Sequence, residues 1–153
     1  MDESNLEYAG FWIRTWATII DTFLIIAITF PVLIFIYGWA YFDLKEDVAG
    51  PADFIITWIF PAVAVIWFWT SRQATPGKMA LSIRVLDAKS GKSLSVAQSL
   101  GRYLAYFISG LPLGLGLLWV AFDRKKQGWH DKLAGTVVVR SGRSGRKAVE
   151  FSN

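Results

Sequence analysis

The sequence predicts an all-α membrane protein: two transmembrane helices plus a Gly/Pro-broken re-entrant hairpin or third span, with a small cytoplasmic β element. Of its 153 residues, 54% are hydrophobic and 18% charged, and the mean hydropathy is +0.38. A soluble domain usually carries about 25% charged residues. The apolar residues are concentrated in three long stretches, the last of which contains a Gly- and Pro-rich break. We expect one membrane domain over residues 1–140, followed by a disordered basic tail at 141–153.

The first two apolar stretches predict membrane-spanning helices. Between Arg14 and Asp43 only Asp21 is charged, and residues 54–71 carry no charge. Both stretches are long enough for the roughly 17 to 25 residues that a helix needs to cross the hydrocarbon core. The residues ahead of the first stretch are acidic and its apolar core is long, so a retained anchor is expected instead of a cleaved signal peptide.

The third stretch, residues 103–122, is uncharged but contains the run GLPLGLG at 110–116. In a helix interior Pro costs about 3 kcal/mol and each Gly about 1 kcal/mol, so this run favours a break. We expect a re-entrant hairpin with both flanks on the cytoplasmic side, and a single kinked span is the alternative.

Basic residues set the expected orientation. The segment 38–53 holds one Lys or Arg, residues 72–102 hold six, and the part after Phe122 holds eight. Because short cytoplasmic segments are enriched in Lys and Arg, we expect the N-terminus in the cytoplasm and the segment 38–53 outside.

Two segments have strand patterns. Residues 80–87 alternate and end in a turn at 89–92, and residues 136–140 (TVVVR) are rich in β-branched side chains. If the two strands pair, both ends of the third apolar stretch lie on one side of the bilayer, which favours the hairpin. Between them, Ser95 and Gln98 fit a capping box that opens a helix. The run TPGK at 75–78 predicts a tight turn.

Several motifs occur in an order that resembles the RDD family of small bacterial membrane proteins. Over roughly residues 8–140 they are YAGF at 8–11, Arg14, Asp21, TPGK at 75–78, RYL at 102–104, LPLG at 111–114, FDR at 122–124 and HDKLAGT at 130–136. The family takes its name from one arginine and two aspartates. Arg14 and Asp21 match the first two by position, and the third is Asp131 or Asp123, with Asp131 favoured. The resemblance implies a multi-pass protein of the bacterial inner membrane, and cation/proton exchange is proposed for some members.

Asp21 is the residue on which the predicted chemistry depends, because a charged carboxylate at mid-helix costs about 2.5 to 3.5 kcal/mol. Arg14, Thr18 and Thr22 share its helix face, which predicts a polar stripe facing other helices. In one interpretation Asp21 binds and releases a proton or a monovalent cation. In the other, which is favoured, it locks helices together by pairing with a cation. The candidate cations are Arg14 through water, Arg102, Lys78 and Arg84. Arg14 has the alternative role of contacting inner headgroups.

The candidate residues therefore form two groups. Those expected to bind an ion or a proton are Asp21, Arg14, Asp131 and Asp123. Those expected to make inter-helix polar contacts are Thr18, Thr22, Arg102 and His130. His130 and Asp131 lack a neighbouring nucleophile motif, so we expect them to hold the turn at 134–136 against the helices.

The expected function is cation- or proton-coupled transport, in which the protein is a homo-oligomer because two spans and a hairpin are few to enclose a path. The alternative is a structural or accessory membrane protein that binds anionic lipid or a membrane complex. The expected partners are the lipid bilayer and a monovalent cation or proton. Because the chain has no Cys and a single His, we expect no metal. The apolar composition and the missing catalytic motifs favour neither enzyme activity nor a cofactor, and the pattern of basic residues does not favour nucleic acid.

Overall fold

The computed structural model describes residues 6–43, 48–142 and 149. Two helices are long and apolar enough to cross a membrane, α1 at Phe11–Tyr37 and α2 at Pro51–Arg72. α2 contains a π-helical turn at Ile55–Ile59. The fold class predicted from the apolar stretches is thus confirmed.

Large apolar side chains cover the outside of both long helices. Phe23 and Phe35 of α1 are 72% and 91% exposed, and Trp58 and Val63 of α2 are 53% and 60% exposed. Such a surface is unfavourable in water and suits acyl chains. The described part of the chain is therefore a membrane protein with lipid-facing helices.

Shorter elements complete the fold. They are β1 at Leu6–Tyr8, a 3-10 turn at Trp39–Asp43, α3 at Pro76–Ala80, β2 at Ile83–Asp87, α4 at Val96–Gly110, α5 at Leu115–Leu118 with a 3-10 turn at Trp119–Ala121, α6 at Trp129–Leu133 and β3 at Thr136–Ser141. The TPGK run, predicted as a tight turn, begins α3 instead. Pro76 supplies the fixed φ that suits a first helical turn.

The three strands form one antiparallel sheet in the order β1-β3-β2. Val138 of β3 pairs with Val85 of β2, and both side chains are fully buried. β1 pairs Glu7 with Arg140 on the other edge of β3, and their side chains form an ion pair of 3.2 Å. The two predicted strands are confirmed, whereas β1 was not predicted because three residues are too few to show a pattern.

The sheet determines how the third apolar stretch is placed. β1 precedes α1, β2 follows α2, and β3 follows the stretch from α4 to α5, yet all three belong to one sheet. A hydrogen-bonded sheet cannot straddle a bilayer, so all three strands lie on one side, which we call the sheet side. The axes of Val96–Gly110 and Leu115–Ala121 also bend by 112° at the break. This geometry fits the hairpin alternative.

Helix α4 has its polar face inside. The predicted capping box is present, because Ser95 Oγ accepts from the Gln98 amide and the Gln98 side chain accepts from the Ser95 amide. Ser99, Arg102, Ala105 and Ser109 are buried, whereas the apolar positions that predicted the helix, Val96, Leu100, Leu104 and Phe107, are exposed. The apolar periodicity therefore marks the surface that faces lipid.

Two predictions fall partly on residues outside the described ranges. Residues 44–47 of the acidic segment are not described. The predicted disordered tail at 141–153 is described only at Ser141, Gly142 and Val149.

The shared sheet gives a topology prediction that single cysteines test, because the natural chain has none. We expect Ser90→Cys and Ser141→Cys to react with a membrane-impermeant maleimide from the same side of the membrane. Trp39→Cys, between α1 and α2, is expected to react from the other side. Labelling of Ser141→Cys from the same side as Trp39→Cys would contradict the hairpin and indicate a third span.

Candidate functional site

A buried carboxylate, Asp131 of α6, lies between two arginines: it accepts a hydrogen bond from Arg14 and forms an ion pair with Arg102. Arg14 Nη2 lies 2.6 Å from Asp131 Oδ2, and Arg102 Nη2 lies 2.6 Å from Oδ1. The Gly128 amide donates to Oδ2 at 2.9 Å. We call Arg14, Arg102 and Asp131 the ion cluster. The side chains of Asp131 and Arg102 are fully buried.

The ion cluster joins separate parts of the fold. Arg14 stands in the first turn of α1, Arg102 in the second turn of α4, and Asp131 in α6, which continues into β3. Arg102 Nη1 also donates to the Thr136 hydroxyl at 2.6 Å, and Arg14 Nη1 donates to the Lys126 carbonyl at 2.8 Å. The cluster therefore fixes the membrane helices to the sheet.

The charges of the cluster decide the protonation of Asp131. Burial by itself raises the pKa of this carboxyl group, but the guanidiniums of Arg102 and Arg14 outweigh burial and hold the pKa well below its usual value. Asp131 therefore stays ionised at any physiological pH. It is poorly suited to carry a proton.

His130 lies beside the cluster as a neutral side chain. Its ring stacks on Tyr106 with 3.9 Å between centroids, and its Nε2 lies 3.1 Å from Arg14 Nη2. Because arginine has no acceptor atom, Nε2 accepts and the neutral ring carries its proton on Nδ1. Burial, aided by the nearby cations and opposed by Asp131, lowers the pKa of His130 to about 3.

Asp21 accepts from two donors of the segment that follows α2. The Thr75 hydroxyl lies 2.5 Å from Asp21 Oδ2, and the Gly77 amide lies 2.7 Å from Oδ1. Gly77 permits this approach, because a Cβ there would lie 2.3 Å from the Ala17 carbonyl oxygen. Asp21 thus joins α1 to α3. Its hydrogen-bond partners are a hydroxyl and an amide. Of the predicted cations, Lys78 attracts Asp21 without a direct ion pair, whereas Arg14 contacts Asp131.

The remaining predicted residues are placed apart from the ion cluster. Asp123 pairs with Lys132 at 2.5 Å and accepts from the amides of Lys125 and Gln127. The inter-helix contacts expected of two threonines need correction. Thr18 donates to the Arg14 carbonyl of its own helix, as threonines in helices often do, and Thr22 is exposed and makes no hydrogen bond in the described chain.

A cleft of about 340 Å³ lies beside Asp21, between α1, α2, α3 and α4. Lys78 lines it and is 5% exposed, and its ammonium lies 5.4 Å from the centroid of the Trp69 ring. We call this space the Lys78 cleft. Trp69 also stacks on Tyr106 at 6.1 Å.

From the sequence, Lys78 was predicted only as a partner of Asp21, and Trp69, Thr75 and Gly77 were not predicted as site residues. The TPGK motif was the available signal for three of these four.

The fold and the site define a class: a small helical membrane protein with two long spans and a sharply bent third apolar stretch, whose sheet is tied to its helices by buried arginine–aspartate pairs. The RDD family model matches residues 8–135, and the chain belongs to the RDD family. The matched range contains Arg14, Asp21, Asp123 and Asp131.

Related proteins occur in several bacteria. The chain is 31% identical over 147 residues to "Uncharacterized protein YxaI" of Bacillus subtilis (strain 168), covering 86% of this chain and 96% of that one. It is 25% identical to "Uncharacterized membrane protein YteJ" of the same organism, with 86% and 80% covered. It is 36% identical over 76 residues to "Uncharacterized protein RP437" of Rickettsia prowazekii (strain Madrid E), of which the match spans 42%. No solved structure matches the chain.

Removing the charge of Asp131 should strongly destabilise the protein. Asp131→Asn leaves two buried guanidiniums without a carboxylate, and breaking a buried pair in this way costs about 3 to 5 kcal/mol. Asp123→Asn is the matched control, because its partner Lys132 is 44% exposed and such pairs contribute about 1 kcal/mol or less. The free energy of unfolding in mixed detergent micelles measures both. Equal losses would show that the ion cluster has no special role.

His130 should make stability depend on pH. The unfolded chain protonates this residue near its ordinary pKa of 6.5, whereas the folded protein keeps it neutral down to about pH 3. The unfolded state therefore binds the extra proton, and the free energy of unfolding should fall by about 1.4 kcal/mol per pH unit below about pH 6.5.

His130→Gln is the variant that tests this linkage, because Gln keeps an acceptor for Arg14 and does not titrate. Its unfolding free energy should lose the slope between about pH 5 and about pH 6.5. A variant that retains the slope of the natural protein would assign the slope to other groups.

Proposed function

We propose that the protein is a structural or accessory membrane protein that binds anionic lipid headgroups at its sheet side, which is the cytoplasmic side of a bacterial inner membrane. The observation that carries this proposal is the distribution of unpaired charge. In the described ranges, six exposed basic side chains form no hydrogen bond or ion pair: Arg72, Arg84, Lys89, Lys92, Arg124 and Lys125.

The acidic side chains near these residues have partners of their own. Asp123 pairs with Lys132, and Glu7 pairs with Arg140. Asp87 accepts from the Lys89 and Ser90 amides and from the Gln98 side chain. Among the described residues of this surface, the uncompensated charge is therefore positive. Each Lys or Arg near an anionic leaflet contributes about 1 kcal/mol, so several together produce a preference for anionic lipid.

The second candidate function is cation- or proton-coupled transport, and the placement of Asp21 in the wall of the Lys78 cleft favours it. Two observations count against it. Asp21 already accepts from Thr75 and Gly77, and Asp131 is held ionised between two arginines. A path would also need a second copy of the chain to enclose it.

Lipid selectivity tests the proposal. In reconstituted bilayers, electron spin resonance of spin-labelled lipids should show that phosphatidylglycerol is enriched around the protein relative to phosphatidylcholine. The double variant Arg124→Gln/Lys125→Gln should lose about 2 kcal/mol of summed attraction, spread over the surface, and hence part of this selectivity.

Asp123→Asn/Lys132→Gln is the matched control, because it also changes two charged residues but leaves the net charge unchanged. It should keep the selectivity. The absence of any selectivity in the unmodified protein would contradict the proposal. Cation-dependent proton movement in proteoliposomes, seen with a pH-sensitive dye and abolished by Asp21→Asn, would establish transport instead.

A further inference from the structure

The Lys78 cleft has a polar end and an apolar end. Asp21, Thr75 and Lys78 lie at the polar end, beside α3. Ile25 and Ile28 continue along α1 away from Asp21, and Ile28 lies about 10.5 Å further along the helix axis. A space of this shape suits a molecule with a polar head and an apolar chain.

Two donors in this cleft lack acceptors in the described chain. The Lys78 side chain is buried and forms no hydrogen bond or ion pair in the described chain; its ammonium lies over the Trp69 ring and interacts electrostatically with Tyr106 and Asp21. The Trp69 indole Nε1 is also buried without a hydrogen-bond partner. Because buried donors normally have acceptors, the pair indicates a missing acceptor group.

The charges around the cleft also favour an anionic ligand. Three cations, Arg14, Lys78 and Arg102, lie close together against two carboxylates, Asp21 and Asp131. Asp131 is shared by the two arginines, and Asp21 already accepts from Thr75 and Gly77. One positive charge is thus left over, on the residue that lines the cleft.

We propose that the Lys78 cleft binds one anionic diacyl phospholipid, with the phosphate at Lys78 and Trp69 and one acyl chain along Ile25, Ile28 and Phe60. The inference deepens the proposed function, because it rests on anionic lipid as the partner and adds a defined internal site to the diffuse surface attraction.

The apolar end is reachable from the bilayer. Ile28, Phe60 and Phe107 line the cleft and are 55%, 43% and 53% exposed on the lipid-facing surface. A phospholipid therefore enters sideways without leaving the membrane. Inorganic phosphate has no apolar part that could contact this wall. Burial lowers the pKa of Lys78, and an anion beside the ammonium acts in the opposite direction by favouring its charged form.

Native mass spectrometry of the full chain tests the site. The protein is released from nanodiscs that contain phosphatidylglycerol and phosphatidylcholine, at collision energies that remove surface lipid. We expect one phosphatidylglycerol to be retained. Lys78→Met keeps an apolar stem and removes the charge, and it should lower the retained fraction about tenfold, which corresponds to about 1.4 kcal/mol.

Two further variants separate binding of a phospholipid in the cleft from binding of free phosphate. Ala64→Phe fills the apolar part of the cleft without touching Lys78 and should also expel the lipid, whereas Lys78→Arg keeps the charge and should retain it. Their thermal unfolding midpoints report whether they fold. Retention of phosphatidylglycerol by both Lys78→Met and Ala64→Phe would overturn the proposal. So would binding of inorganic phosphate that Lys78→Met abolishes and Ala64→Phe leaves intact.

The surface variant Arg124→Gln/Lys125→Gln makes the two proposals separable. It should lose surface selectivity yet keep the retained lipid, since its residues are not in the cleft wall. Surface selectivity without a retained lipid would end the inference about the cleft and leave the proposed function standing. A retained lipid without surface selectivity would contradict the proposed function and leave the inference about the cleft standing.

Discussion

The contact between Asp131 and the guanidiniums of Arg14 and Arg102 determines how the parts of this protein are held together. In lipid, the hydrophobic effect gives helices little reason to associate, because acyl chains are as apolar as leucine. Specific polar contacts must then select the arrangement. The carboxylate of Asp131 contacts both helices, and Asp131 lies in α6, which leads directly into β3. This contact therefore positions both helices relative to the sheet. An apolar replacement could fill the same volume but would not discriminate between neighbours in this way.

The ion cluster also explains why α4 has polar residues on its inner face. Arg102 reaches Asp131 only if its side of the helix faces inward, and Ser99, Ala105 and Ser109 on the same side are small enough to allow close packing. Gly116 of α5 lies directly against Ser109, where a Cβ would be 2.8 Å from the Ser109 Cα. Small residues at this contact let α4 and α5 approach each other across the bend. The larger apolar residues are then left on the outside, where lipid accommodates them.

Local patterns predicted most of the fold, and long-range partners were not predictable. Apolar length identified both spanning helices, and Ser95 with Gln98 marked the start of α4, because these signals reside in neighbouring residues. Arg14 and Asp21 share a helix face, and that spacing carried no information about residues 117 and 54 positions away, which are their actual partners. Asp131 and His130, which are expected to hold the 134–136 turn, lie at the ion cluster, and the Asp131 carbonyl accepts from the Thr136 hydroxyl. The stripe of threonines was misleading, because a threonine hydroxyl in a helix often donates to the backbone carbonyl one turn earlier, as Thr18 does to Arg14.

The pairing of the carboxylates restricts the chemistry that is open to this protein. A group that carries a proton or a cation must change its partner during the cycle, yet Asp131 exchanges neither of its arginines without exposing buried charge, a loss of several kcal/mol. Asp21 is bound to the backbone of α3, so freeing it requires α3 to move away from α1. The buried side chain of Lys78, by contrast, forms no hydrogen bond or ion pair in the described chain. Lys78 is thus the basic side chain that still lacks a hydrogen-bond acceptor, and the far wall of its cleft is apolar. An anion with an apolar chain would match both features.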